Sequence, residues 1–338
     1  MKHTVLKTLA VGSLLALSGA ASAKVVLTTS SWVPPSHLLT RAQSAWCDEV
    51  AKATDSRVSC NLLPKAVAPP PKTFDAVRDG LADLSFSVHG YTPGRYVLTQ
   101  MAEFPFLGDS PIATSVAYQR IYEKYLASFD EHRGLKVITV FTHGPGVIFN
   151  GKKPVTSLED LSGLKFRVGG GMVNTMAQAI GANATLKPAP QSYELLSAGV
   201  MDGVFFPHES ITSFKLEKLI SHRTTFPGGL YNTSFALVMN PATWARIDKA
   251  DQAAIEKLSG EHAARLFGKF WEAEDTKSKA VQQTVGVAAV EASPAFVADV
   301  KKRTAGLEAA WFKEAKERGL KNPEAVLKAF RDEIGKLE

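Results

Sequence analysis

The sequence predicts an α/β protein of two lobes hinged around a cleft, with long C-terminal helices. Three observations predict it. Short apolar runs alternate with amphipathic helices over the first half, a second and smaller α/β unit follows, and the strand signal largely fades after Pro241. In the first half, residues 24–29 read as a β-branched strand, 36–53 as an amphipathic helix and 58–63 as a second strand. The rhythm continues with a helix at 73–80, a strand at 84–88, a helix at 111–131 and a β-rich run at 135–142, which makes a doubly wound domain. In the second unit, 164–168 is a strand, 173–180 a helix ended by Gly181, 191–198 a short helix and 204–206 a strand. Helices are then expected at 242–248, 251–285, 293–318 and 323–337. No repeat, low-complexity tract or Gly/Ser linker separates the two units, so tight crossovers join them. Such crossovers form a hinge, and a hinge between two α/β lobes forms a cleft.

The composition excludes a disordered tail and a fibrous repeat: of 338 residues, 45% are hydrophobic and 21% charged. Lys2, His3 and Lys7, an apolar run at 9–17 and the small residues Ala21-Ser22-Ala23 form a secretory signal peptide over 1–23, with cleavage expected before Lys24. Its loss removes Lys2 and Lys7 from the 39 basic residues and none of the 33 acidic ones, leaving 37 against 33, a net charge of +4. That mild charge, without a basic cluster, gives no footing for nucleic acid. No other segment approaches the roughly 20 apolar residues of a membrane helix, and no lipobox cysteine follows the leader, so a soluble periplasmic protein is expected. In an oxidising compartment Cys47 and Cys60 are expected to pair. Closing that loop contributes about 3 kcal/mol in the chain-entropy model. A two-cysteine metal site is the weaker reading, since neither residue lies in a CxxC pair and no histidine lies between them.

Enzymatic signatures are missing. The sequence contains no nucleophile elbow, no HExxH and no clustered His/Asp/Glu set, so no catalytic residue, metal or cofactor is assigned. Gly169-Gly170-Gly171 stands where a phosphate cradle would, but fits neither GxGxxG nor GxxxxGK[ST]; a sharp backbone turn into the next helix is the preferred reading. His208-Glu209 is read as a surface or hydrogen-bonding pair, because adjacent side chains point to different faces. His89 and His143 each follow a predicted strand, where open α/β sheets put their crevice; both are candidates for ligand contact, with a structural hydrogen bond as the alternative.

The most informative segment is residues 157–168, Ser-Leu-Glu-Asp-Leu-Ser-Gly-Leu-Lys-Phe-Arg-Val. Period-two alternation puts Leu164, Phe166 and Val168 on one face and Lys165 and Arg167 on the other, which by itself fits a solvated face. The segment resembles the "DLxGLKxR" signature of the solute-binding subunits of TRAP (tripartite ATP-independent periplasmic) transporters. Residues 32–37 (Trp-Val-Pro-Pro-Ser-His) are similar to that family's "WxPxxH" opening, and 103–107 (Glu-Phe-Pro-Phe-Leu) to its "PFL" segment. Residues 179–183 resemble "ALGA", and 193–203 resemble "ELYxALQxGxVDG". Each pattern alone is weak; the five in order over 32–203 are specific.

The resemblance implies a periplasmic-binding-protein fold that closes on a small organic acid and delivers it to the membrane permease subunits of a TRAP transporter, without catalysis. It implies domain I over 24–145 with about 233–273 returning to it, and domain II over 146–232 with the helices of about 274–338 packing on it; a monomer is expected. In the family the arginine ending "GLKxR" grips the ligand carboxylate, and here that position is Arg167. A planar guanidinium offers two parallel donors matched to a carboxylate, a fork that lysine lacks. The chain departs from the family twice. No second arginine precedes residues 152–154, and Val204-Phe205-Phe206-Pro207 stands where many members have Gln-Glu-Asn-Pro. Both departures remove polar anchors, which points to a monocarboxylate with a less polar, aromatic body against Phe206, aided by Trp32, Tyr91 or Phe141. Against this, at least one of Phe205 and Phe206 is expected in the core. His89, His143 and Asn232 complete the candidate set, Asn232 with a turn role as its alternative. The rival readings are a ligand-sensing module for a receptor kinase and a secreted hydrolase or lyase.

Overall fold

A computed structural model describes residues 24–338; the expected signal peptide lies outside the described residues. The first lobe is built on a five-stranded sheet of order β2-β1-β3-β10-β4, with β1 Val25–Thr29, β2 Val58–Leu62, β3 Leu84–Val88, β4 Lys136–Thr142 and β10 Ser234–Met239. Strands β1, β2 and β3 run parallel, and β10 enters antiparallel between β3 and β4. All five residues of β3 and all six of β10 are buried, as central strands covered on both faces must be. The second lobe carries a six-stranded sheet of order β11-β9-β5-β8-β6-β7, with β5 Val147–Asn150, β6 Lys165–Val168, β7 Asn183–Leu186, β8 Gly203–Phe206, β9 His222–Thr225 and β11 Ala288–Glu291.

Local chemistry explains the elements. The Leu38–Ala53 helix starts where the His37 ring accepts a hydrogen bond from the Leu39 amide, and it buries Leu38, Leu39, Ala42, Trp46 and Val50 at helical spacing. The Cys47–Cys60 disulfide, with Cα atoms 5.8 Å apart, ties this helix to β2. The single helix expected at 251–285 is two, Lys249–Lys257 and Glu261–Thr284. It breaks at Gly260, which has φ +56° and donates its amide to Ile138 O at 2.8 Å. The helix expected at 111–131 is α-helical over Pro111–Ile121 and runs on through a π turn to Leu126. Strands β5, β7, β9 and β11 are only four residues each, too short for period-two alternation to reveal. The first sheet is mixed and not wholly parallel, because β10 returns from the far lobe.

Two connections cross between the sheets, residues 143–146 after β4 and 226–233 before β10. They lie side by side: Gly146 donates to Tyr231 O at 2.8 Å and Leu230 donates to Gly146 O at 3.1 Å. A Cβ on Gly146 would come within 2.2 Å of the Tyr231 ring, so only glycine permits this approach. The Glu261–Thr284 helix spans both lobes. Its Phe267 stacks on Phe141 of β4, while Ser278 and Gln282 hydrogen-bond to His208 O of the second lobe. The terminal helices also bridge. Ala292 and Phe296, at the start of Pro294–Glu317, join the same core as Phe226, whereas Trp311 donates to Val97 O of the first lobe. The Pro323–Leu337 helix packs on Pro111–Ile121 of the first lobe through Phe330 and Tyr118.

Candidate functional site

Between the sheets lies a cavity walled largely by rings: Trp32, Phe206, Phe214, Tyr231, Phe235 and Trp271. Its empty space is about 440 Å³ with the solvent at its mouth included. Arg167 of β6 reaches into it and is only 1% exposed. Its Nε donates to Lys187 O at 2.8 Å and its Nη2 to Tyr91 Oη at 3.4 Å, and the guanidinium lies 4.4 Å from the centre of the Phe206 ring. No acidic side chain among the described residues forms an ion pair with it. Burial pulls its pKa below the usual arginine value, opposed by the Tyr91 and Tyr231 hydroxyls, yet a guanidinium stays charged. A buried cation needs a counter-charge or good hydrogen bonds, and here the space beside it is open. A Cβ on Gly169 would stand 3.9 Å from Arg167 Nη2 and 4.0 Å from Thr233 Oγ1, so both donors face one small gap that a side chain would fill.

The cleft is shut. Tyr91, after β3, accepts a hydrogen bond from the Ala189 amide of the other lobe at 2.9 Å. A Cβ on Gly90 would lie 2.8 Å from the Gly170 carbonyl carbon, so backbone meets backbone across the gap. Gly170 and Gly171, at φ +87° and +66°, turn the chain into the Met172–Ala179 helix, and the Met172 amide donates to Glu103 Oε2 at 2.9 Å. Glu103 also accepts from the Ser234 hydroxyl and amide. Burial raises its pKa to about 7 against the pull of those donors. The glycine triplet is thus a turn and a close-approach point.

Five of the eight expected residues line the cavity: Arg167, Phe206, Trp32, Tyr91 and His143. Trp32 is held by an indole hydrogen bond to Phe86 O at 2.9 Å, and His143 donates its Nδ1 proton to Gly144 O. Three do not. His89 turns into the first lobe, bonding Ser234 Oγ at 3.0 Å and His132 Nε2 at 2.8 Å, which is the structural role that was its alternative. Phe141 lies one layer behind, between Phe235 at 5.1 Å and Phe267 at 4.2 Å. Asn232 ties the two crossovers: with its side-chain amide turned over, its nitrogen donates to the carbonyls of His143 and Gly144 at 3.2 Å. Phe205 and Phe206 take opposite faces: Phe205 packs on Phe166, and Phe206 stacks on Phe214. His208 and Glu209 are both buried, not on the surface, and both hydrogen-bonded.

Tyr231, Thr233, Phe214, Ser210, His37 and Trp271 also line the cavity and were not among the expected contacts. Tyr231 and Thr233 carried a signal, flanking Asn232 beyond the glycine pair at 228–229, and so did His37, which ends the segment similar to "WxPxxH". Beside Ser210, the buried carboxyls of Glu209 and Asp275 are raised to about 7, chiefly by loss of water. Among the described residues no group of three or more His, Cys, Asp or Glu is placed to hold a metal, and no helix is long and apolar enough to cross a membrane.

The chain matches the bacterial extracellular solute-binding protein family 7 over residues 29–315. It belongs to that family. Its structural neighbours are TRAP transporter solute-binding proteins, so this family 7 member is a solute receptor and not an enzyme. A TRAP solute-binding protein from Bordetella bronchiseptica, solved with bound (R)- and (S)-mandelate, is 47% identical, with a TM-score of 0.91, covering 93% of this chain and 100% of that one. A marine metagenome TRAP protein in complex with 3-hydroxybenzoate is 32% identical, with a TM-score of 0.87 and coverage of 93% and 99%. By sequence, the chain is 29% identical over 320 residues to the outer membrane transporter protein TsaT of Comamonas testosteroni, covering 94% of each.

Proposed function

We propose that this family 7 protein is the periplasmic receptor of a TRAP transporter for small aromatic monocarboxylates. The observation that carries the reading is Arg167, buried and without a carboxylate of its own, facing a cavity walled by rings. The ligand carboxylate pairs with the guanidinium fork, Thr233 Oγ1 lies beside it, and the ring of the acid packs against Phe206, Trp32 and Tyr231. The bound mandelate and 3-hydroxybenzoate of the two relatives support this ligand class. A sugar acid would leave its hydroxyls unpaired against the aromatic wall, at a cost of about 1–3 kcal/mol for each buried group.

The closing bodies are residues 24–145 with 233–273, and residues 146–232. The crossovers at 143–146 and 226–233 act as hinge, and Tyr91 latches onto Ala189 in the closed form. Closure buries the ion pair and offers the permease subunits a surface drawn from both lobes; the receptor works as a monomer. In a thermal-shift screen of the mature chain, benzoate and mandelate are expected to raise the melting temperature by several degrees, while glucuronate and succinate leave it unmoved. Stabilisation by the sugar acid or the dicarboxylate alone would overturn the aromatic reading.

A further inference from the structure

Arg167 and Thr233 mark one end of the cavity. At the other, three polar groups lack full partners. Trp271 Nε1 is a buried N–H donor with no acceptor among the described residues. His37 accepts the Leu39 amide at Nδ1, which puts the proton of the neutral ring on Nε2; its nearest acidic oxygen, Glu209 Oε1, is 3.5 Å away, too far for a good hydrogen bond. Burial keeps this imidazole neutral, its pKa lowered to about 3. Ser210 Oγ donates to Glu209 Oε2 at 3.2 Å, which leaves its lone pairs free to accept. All three residues line the cavity.

Glu209 links His37 and Ser210 into a cluster, and its amide donates at 2.7 Å to Asp275, one helical turn beyond Trp271. The cluster stands apart from the cation. From the guanidinium the sequence of rings runs to Phe206 at 4.4 Å, from Phe206 to Phe214 at 5.6 Å, and from Phe214 to His37 at 5.5 Å. One N–H donor and one acceptor at the far end of an apolar slot, with the Trp271 donor on the wall of the same cavity, suit one ligand group, a hydroxyl, which accepts from a donor and donates to Ser210. A buried donor left unpaired is costly, so the slot favours a ligand that satisfies it.

Building on the Arg167–carboxylate reading, we propose that the acid carries a ring hydroxyl remote from its carboxylate, received by His37, Ser210 and Trp271. The test is calorimetry of the mature chain with benzoate, 3-hydroxybenzoate and 4-hydroxybenzoate, on the wild type, Ser210→Ala and Trp271→Phe. Trp271→Phe keeps a ring and removes the N–H. The better hydroxybenzoate is expected to bind the wild type about tenfold more tightly than benzoate, and each substitution to cut that ratio roughly three- to tenfold. If benzoate binds and the wild-type ratio is near one, or neither substitution moves it, this inference falls and the Arg167 reading stands. If none of the three acids binds the wild type, the carboxylate reading falls and takes the hydroxyl with it.

Discussion

The second sheet buries two arginines, Arg167 on β6 and Arg223 on β9, and only one of them lines the cavity. Their exposures are 1% and 7%, and neither forms an ion pair with an acid among the described residues. Arg223 is held by the chain itself through one group: Nη1 donates to Gln282 Oε1 at 2.8 Å, beside His208, which shares the same amide oxygen, while its Nε is buried without an acceptor among the described residues and the cavity does not reach it. Arg167 has a carbonyl and a phenol, a ring beneath its guanidinium and a closable gap in front. Burial of a cation without an acid therefore does not identify a binding residue. The space left beside the charge, and what walls that space, does.

The comparison breaks most directly by removing each charge. Arg167→Ala and Arg167→Lys should each weaken benzoate or mandelate binding by at least about 30-fold, the equivalent of a buried charge pair losing a partner at about 2–5 kcal/mol. Arg223→Gln should leave the same dissociation constants within about twofold, since the residue touches no part of the cavity. Calorimetry on folded variants checks both. Equal losses at the two positions would mean that Arg167 acts through the sheet and not on the ligand.

A smaller effect sharpens the comparison. Among the described residues Arg167 has an aromatic face beneath it and Arg223 has none. Phe206→Leu keeps an apolar wall but removes the quadrupole, and should cost roughly three- to thirtyfold in affinity for the same acids. Wild-type affinity in Phe206→Leu would reduce Phe206 to packing.

How legible was this site? Arg167 could be reached only from the resemblance of the segment around it, because alternation by itself put it with Lys165 on a face that fits solvent. In fact Lys165 on the same face is exposed and Arg167 is closed over by the opposite lobe. Phe206 was legible from its place where the family has the asparagine of Gln-Glu-Asn-Pro; alternation with Phe205 said only that one of the two goes to the core. His89 was misread because the position after a strand fixes where the backbone goes and not which way the ring turns; His132, 43 residues away, drew it inward. Trp271 and Phe214 were not legible at all. Trp271, an aromatic residue on an amphipathic helix, reads as core and becomes cavity wall because the Glu261–Thr284 helix runs beneath both lobes, whereas Phe214 follows the short 208–213 helix, where no local pattern marks it. The same is true of β10, whose place between β3 and β4 is a long-range pairing that no local pattern records.

Each arginine also has a buried histidine near it, and the pair gives the finest test. His143 has its pKa lowered to about 4, mainly by burial and further by the Arg167 charge, with the bond to Gly144 O pulling the other way. His208 is lowered to about 3, again mainly by burial, opposed by Gln282 and assisted by Lys279 and Arg223. An unfolded histidine titrates near 6.5, so below that pH the unfolded chain takes up protons that these two rings refuse. Stability contributed by their neutrality is therefore complete above pH 6.5 and is lost as pH falls toward 4 and 3. A carboxylate bound at Arg167 cancels the charge that helps hold His143 down, so its pKa should rise on binding while that of His208 stays put. By linkage the acid should bind more tightly as pH falls from 6.5 toward 4, so long as its own carboxylate remains ionised. Imidazole NMR titrations with and without benzoate read both rings at once: an upward shift confined to His143 is expected, and an equal shift at both, or none at His143, would place the anion somewhere other than beside Arg167.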